Sequence, residues 1–350
     1  MSTLWIHAGP HKTASTYIQK HLKINRAYLR KNNLVWAKRA AKLEFSRLLK
    51  SENWQELCEL SFLRRKLKKK RLISEEKLHP AILEIEKIQT LEKVAEKTGL
   101  KIGIVFYIRD QAEWINSMYC HGIRHMYHST EFAEYAKSWL YQTNYWTLDL
   151  QAKYENLINS NLKTKFIVLS RANKNDPFES LLRSIDISFD PKCLAPVPDD
   201  HANIQPGIKG IWLSKACKFI CDALDFDTDN LARKGNGIRL IALRKGWHCD
   251  QFYGFDDDLY DEVRNHFSQS NKIFFEAYLG GSWERHFPRN NKIQNLYNGP
   301  STSGEFEELE AVLMEALESM GFPVSDLSKA SDLFKQYCVD GGFLHPQHKN

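Results

Sequence analysis

The sequence predicts an α/β protein with a mostly parallel sheet flanked by helices, of the P-loop type, with helical additions toward the C-terminus. Three observations carry this prediction. Strand-like apolar runs alternate with helical stretches of ten or more residues, which is the pattern of successive βαβ units. The run "KIGIVFYI" at 101–108 is apolar on both faces, as an interior parallel strand must be. The segment "GPHKTAST" at 9–16 follows a short apolar run, so small and hydroxyl-bearing residues crowd the first strand-to-helix junction.

The elements follow in order. "TLWIHA" is a short β-rich run, and "TYIQKHLKINRAYLRKN" places Ile18, Leu22 and Leu29 near helical spacing. "NLVWA" reads as a second strand. Residues 41–70 read as helical and charged, ending in "RRKLKKKR", and "RLISEE" reads as the next strand. In "AILEIEKIQTLEKVAEKTG" the residues Ile82, Ile85, Ile88 and Leu91 form one stripe, and Gly99 is a helix stop. After the strand at 101–108 a helix opens near Gln111, and "TKFIVLS" at 164–170 reads as a further buried strand. Beyond about residue 200 the pattern is mainly helical, with loops at "RKGNG" and "NGPSTSG". The segment "EFEELEAVLMEALESMG" forms an added helical tail, which places a boundary between 1–297 and 298–350.

Composition narrows the function classes. With 350 residues, 43% hydrophobic and 26% charged, the chain can bury a substantial core and is not of disordered type. A net charge of +6 mildly favours a polyanionic ligand. No apolar stretch approaches the roughly 18 residues needed to span a bilayer. The N-terminal segment lacks a charged region followed by an apolar run, so no signal peptide and a cytoplasmic location are expected. The seven cysteines contain no CxxC pair; Cys217 and Cys221 share a helix face and read as buried small apolar residues.

The opening loop carries the chemistry. A strand-to-helix loop aims backbone N–H groups and a helix N-terminus at one point, which attracts phosphate. Lys12 adds a full positive charge, and Thr13, Ser15 and Thr16 add hydroxyls. This is not a Walker A motif, because Pro10 and His11 precede Lys12 where a glycine is required. Nor does "VFYIRD" make a Walker B strand: it presents Arg109 first, itself an anion contact. Metal-free anion chemistry is the expectation.

"HAGPHKTASTYIQ" resembles the 5′-phosphosulfate loop of sulfotransferases that use 3′-phosphoadenosine 5′-phosphosulfate (PAPS). "IVFYIRDQAEWINSMY" resembles their 3′-phosphate motif, with Ser117 eight residues after Arg109 and a Tyr shortly after. Within that superfamily the chain is most similar to bacterial sulfotransferases of surface and capsular polysaccharides, which have a similar "SSE" after an early strand, here "ISEE" at 73–76. "FIVLSRANKNDPFESLLRSIDIS" and "NHFSQSNKIFFEAYLG" extend the likeness to about residue 290.

The resemblance implies a sulfotransferase domain over 1–297 that moves a sulfuryl group from PAPS to a carbohydrate hydroxyl and releases adenosine 3′,5′-bisphosphate. It implies no metal, no nucleic-acid partner and no membrane span. Lys12 would neutralise charge on the leaving phosphate oxygen. The backbone of His11, Lys12, Thr13, Ala14, Ser15 and Thr16, with the Ser15 and Thr16 hydroxyls, would bind the 5′-phosphate. Arg109 and Ser117 would clamp the 3′-phosphate. The family loop commonly has Gly where this chain has Ala14, a position suited to left-handed backbone, where a Cβ is unfavourable. In the carbohydrate-directed branches a Glu accepts the acceptor's proton, and the last Glu of "ISEE", Glu76, aligns with that slot. An ordinary carboxylate, with a reference pKa of about 4.3, is ionised at neutral pH. Glu75 and His79 are the rivals, and Glu75 and Glu76 together could instead favour the start of the next helix through its dipole.

Other features read more plainly. "RRKLKKKR" reads as a solvated helix face, "RKGNG" as a coincidental likeness to a late 3′-phosphate segment, and Arg171 as an acceptor contact or a salt bridge. His7 reads as packed, and the aromatic residues at 139–146 as a packed helix face or a sugar cleft. An ATP-dependent P-loop kinase and a non-catalytic polyanion binder are the alternative functions.

Overall fold

The computed structural model describes residues 2–64, 69–143, 147–170, 176–198, 204–227 and 237–341. Arg171, most of "RKGNG", residues 65–68 of the basic run and residues 144–146 lie outside the described residues. The chain forms two compact units: Met1–Trp114, Trp139–Asp199 and Val263–Asn290 make the first, and Ile115–Ser138, Asp200–Glu262 and Asn291–Asn350 the second.

The first unit holds a five-stranded sheet of order β2-β3-β1-β4-β5. The strands are β1 (Thr3–His7), β2 (Leu34–Trp36), β3 (Lys70–Ser74), β4 (Lys101–Ile108) and β5 (Lys163–Val168). Every pairing is parallel. Alternation along the strands sorts side chains to two faces. Leu4, Ile6, Ile73, Ile102, Ile104, Phe106 and Ile108 join one buried cluster, and Trp5, Leu72, Val105 and Tyr107 join the other. Trp5 lies beside Gly103 in the β1–β4 register, and a Cβ on Gly103 would come within 2.4 Å of its ring. Glycine here makes room for the indole.

The α-helices of this unit include α1 (Ser15–Ile24), α2 (Arg26–Lys31), α3 (Arg39–Lys50), α4 (Trp54–Glu59), α5 (Ser61–Arg64), α6 (Ile85–Thr98), the start of α7 (Gln111–Arg124), α9 (Leu150–Ile158) and α10 (Pro177–Ser184), with Ser268–Tyr278 and Trp283–His286 later in the chain; α8 (Phe132–Ser138) belongs to the second unit. The strand at 101–108, the helix start at Gln111 and the stop at Gly99, which has φ 66, all agree with the sequence reading.

Four local expectations need correction. The run read as helical after the loop is two helices parted at Asn25, whose Oδ1 accepts the Ala195 N–H at 2.8 Å. A partner 170 residues away competes with continuing the helix. Over the stretch expected as helical at 41–70, the described residues form three helices, Arg39–Lys50, Trp54–Glu59 and Ser61–Arg64, and β3 already begins at Lys70. Ile85 is not in the apolar stripe; it opens α6 and is 41% exposed, while Ile82, Ile88 and Leu91 are buried. The strand expected as buried at 164–170 is half-buried, because β5 is the sheet edge and pairs only with β4.

The second unit is helical. Gly207–Ala223, Gly237–Arg244, Ser303–Met320 and Leu327–Asp340 enclose a core that includes Leu213, Ile241, Leu313, Leu317 and Phe334. Cys217 and Cys221 are buried in this core, as the apolar reading expects, and all seven cysteines are free. Among the described residues no helix is long and apolar enough to cross a membrane.

Candidate functional site

Because β1, β3 and β4 run parallel, their C-terminal ends open on one edge of the sheet, where ligands of open α/β folds bind. The segments leaving those ends are the loop Gly9–Ala14, the turn Glu75–His79 and the Arg109–Asp110 junction. Sequence alone cannot bring them together; strand order does.

The loop bends tightly. Lys12 and Ala14 have φ of 66 and 63, both left-handed. Ala14 stands at the N-cap of α1 and makes no side-chain cap, so the first amides of this ten-residue helix have no side-chain acceptor from that residue. Thr13 Oγ1 donates to the Pro10 carbonyl at 2.6 Å. A Cβ on Gly9 would meet Thr13 Oγ1 at 2.7 Å, Ser15 Oγ at 3.1 Å and His7 Nε2 at 3.2 Å. The last two atoms are buried with no hydrogen-bond partner among the described residues, so polar groups line the inside of the turn.

Left-handed alanine gives a direct prediction. A Cβ in this region costs about 1–2 kcal/mol, and glycine returns part of that through a more flexible unfolded chain. Ala14→Gly is therefore expected to stabilise the protein by about 0.5–1 kcal/mol, a rise of about 1–3 °C in Tm by differential scanning calorimetry.

Donors from the β4–α7 segment pin the loop from outside. Arg109 Nη1 donates to the Lys12 carbonyl at 3.0 Å, and the Trp114 indole N–H donates to the His11 carbonyl at 2.7 Å. Arg109 also faces Glu113, with Nη2–Oε2 at 3.7 Å, and Glu113 accepts from Asn290 at 2.8 Å. The helix start is fixed in turn by Asp110. Its Oδ1 accepts the Glu113 N–H at 3.1 Å, and its Oδ2 pairs with Arg264 at 2.8 Å. Burial pushes the Asp110 carboxyl up from its ordinary range, although Arg264 pulls the other way.

Of the three candidate bases, Glu76 touches the loop: its Oε1 lies 2.9 Å from His11 Nδ1, and its side chain is partly exposed. Glu75 turns to Lys42, at 2.9 Å. His79 is buried with Nε2 unpartnered among the described residues; burial first, then Lys153 and His11, hold its pKa well below the usual value. Lys12, His11, Glu76 and Arg109 thus form one connected group, with Thr13, Ala14, Ser15 and Thr16 in the same loop. Ser117 lies half-exposed on α7, about 9 Å along the axis from Gln111, in the segment assigned to the second unit, and takes no part in this network.

His7, at the end of β1, shares a 2.9 Å hydrogen bond through Nδ1 with the Ser74 hydroxyl and meets Tyr107 edge-on. Burial lowers its pKa to about 4. The unfolded chain therefore binds a proton near pH 6.5 that the folded chain refuses until about pH 4. Stability is expected to fall as pH drops through this interval, by about 3 kcal/mol from His7 alone, with His79 acting in the same direction. Urea unfolding of the wild type and His7→Gln between pH 7 and pH 4.5 should show the steeper loss in the wild type.

Two neighbours of the site carry no recognisable signal in the sequence. Trp114 lies within the second motif but reads there as an ordinary apolar helix position, and Trp139 packs edge-on against it at 4.9 Å. Tyr141, by contrast, is 75% exposed. Lys153, in the first turn of α9, reads as a surface lysine. It lines a cleft shared with Pro10, Thr13, Arg109 and Trp114. Among the described residues no cluster of three or more His, Cys, Asp or Glu side chains is placed to hold a metal ion. Compared with protein-family models, curated proteins and solved structures, the chain has no match.

Proposed function

We propose that this protein is a PAPS-dependent sulfotransferase acting on a carbohydrate hydroxyl, of the kind found in bacterial surface polysaccharides or their precursors. One observation supports this most: Arg109, from the second anion motif, donates to the backbone of Lys12 in the first, across 97 residues of sequence. Glu76 reaches the same loop through His11.

In this reading the α1 N-terminus, the loop backbone from His11 to Thr16 and the Ser15 and Thr16 hydroxyls receive the 5′-phosphate. Arg109 receives the 3′-phosphate. Glu76 accepts the acceptor's proton as the acceptor oxygen forms its bond to sulfur. The bond from sulfur to the bridging oxygen breaks, and its electron pair stays on the phosphate, where the Lys12 ammonium offsets the new charge. His11 holds the Glu76 carboxylate against the loop, which sets the base beside the donor.

The test uses labelled PAPS with neutral and acidic glycans. Lys12→Ala is expected to lower transfer about 10²–10³-fold, the typical loss when one donor to developing charge is removed. Arg109→Ala is expected to weaken adenosine 3′,5′-bisphosphate binding at least tenfold. Equal transfer in both variants and wild type would end the assignment. Thermal stabilisation by ATP with Mg²⁺, and none by adenosine 3′,5′-bisphosphate, would favour a kinase instead. Heparin retention that survives Lys12→Ala, without transfer, would favour a polyanion binder.

A further inference from the structure

Lys153 stands out when the sheltered lysines are compared. Lys42, Lys87 and Lys209 each hold a carboxylate, at 2.9, 2.5 and 2.7 Å. Lys153 is half-buried, and its ammonium has no hydrogen bond or ion pair among the described residues. Its cleft is not an apolar resting place for the alkyl stem alone. Arg109, Gln111 and the loop residues Pro10 and Thr13 share it, with Trp114 and Tyr154 as walls. The carboxylates of this edge are turned to other partners: Glu76 to His11, Glu113 to Arg109 and Glu75 to Lys42.

An ammonium taken from water without a counter-charge is unfavourable, and the protein supplies none among the described residues. We propose that Lys153 receives an oxyanion of a bound ligand in the cleft it shares with Arg109 and the anion loop. The proposal rests on the sulfotransferase reading for the identity of that ligand. The oxyanion is then either the donor's phosphosulfate group or an acidic substituent of the acceptor. Both would meet Lys153 through the same chemistry, an ammonium donating to anionic oxygens.

The electrostatics suit the binding of an anion. Burial lowers the Lys153 pKa to about 8. The titratable groups lining the cleft with Lys153 are Tyr107, Arg109 and Tyr154, and no carboxylate is among the lining residues; His79 lies close enough to feel the Lys153 charge, and the Asp149 carboxylate one turn earlier on the helix accepts from Ala152 N–H and the Ser270 hydroxyl. An arriving anion would bring negative charge into the cleft itself and would raise the Lys153 pKa.

That rise is measurable on the full chain. Reductive methylation with ¹³C-formaldehyde gives each lysine a titratable NMR signal, and Lys153→Arg identifies the signal of Lys153 by its loss. The titration midpoint is expected to rise by at least one pH unit with ligand, a tenfold preference of the anion for the protonated amine. A rise with inorganic sulfate or adenosine 3′,5′-bisphosphate assigns the contact to the donor. A rise with glucuronate alone assigns it to an acidic acceptor. No movement with any of the three overturns the proposal, whatever the transfer assay shows. Movement with sulfate in a protein that transfers nothing from PAPS upholds the contact and removes the sulfotransferase reading.

Discussion

Glu76→Gln is expected to lower kcat for sulfuryl transfer about 10²–10⁴-fold, the usual contribution of a positioned general base. Binding of adenosine 3′,5′-bisphosphate should change by no more than a few-fold, because the amide keeps the size of the side chain and an oxygen that can still meet His11. The neighbouring Glu75→Gln is the control. Glu75 pairs with Lys42, and its amide donates to the His7 carbonyl at 3.0 Å, prolonging the β1–β3 pairing. Its loss should affect stability more than rate. If Glu75→Gln abolished transfer while Glu76→Gln retained a tenth or more of it, the base assignment would move one residue. His79 is poorly suited to the role for a physical reason. It is buried against Phe106, and both burial and the nearby Lys153 oppose its taking a proton.

Arg264→Met is expected to destabilise the protein by about 3–5 kcal/mol, the range found when one partner of a buried ion pair is removed. Arg264 and Asp110 have side chains only 10% and 6% exposed, and the pair closes at 2.8 Å. Arg264 also donates to the Phe287 carbonyl at 2.8 Å and lies over the Trp283 ring at 4.0 Å. Its loss leaves the Asp110 carboxylate without its cation at the first turn of α7. Guanidinium unfolding checks the magnitude, and the pH dependence checks the cause. The Asp110 carboxyl already sits above its ordinary pKa through burial, and removing Arg264 raises it further. A raised carboxylate pKa adds stability as pH falls, because the folded state then binds the proton more tightly. The deficit of Arg264→Met should therefore shrink toward pH 5, and adding Asp110→Asn should recover part of it at pH 7. The two substitutions are coupled through one contact and should not add. Arg109 and Trp114 flank Asp110 in sequence, so the variant should also bind adenosine 3′,5′-bisphosphate more weakly.

Much of the sheet was legible because its signals are local. The apolar run of β4, the stop at Gly99 and the start of α7 each follow from neighbouring residues. The misreadings share the opposite property. Asn25 breaks a helix for the sake of Ala195; Ile85 has the right spacing but stands at a helix start; β5 looks buried in sequence and is an edge in space. Glu75 and Glu76 are equivalent as a string, and only the twist of the turn after β3 sends one to Lys42 and the other to His11.

The chain by itself determined a parallel α/β sheet, because periodicity is written in consecutive residues, and the same consecutive residues are what suggested two anion-binding segments. Tertiary structure decided that Arg109 braces the Lys12 loop, that Glu76 is the carboxylate beside it, and that Lys153 faces the same cleft. Those facts depend on which strand ends lie side by side. Strand order is set by the packing of the whole sheet, and no short stretch of sequence contains it.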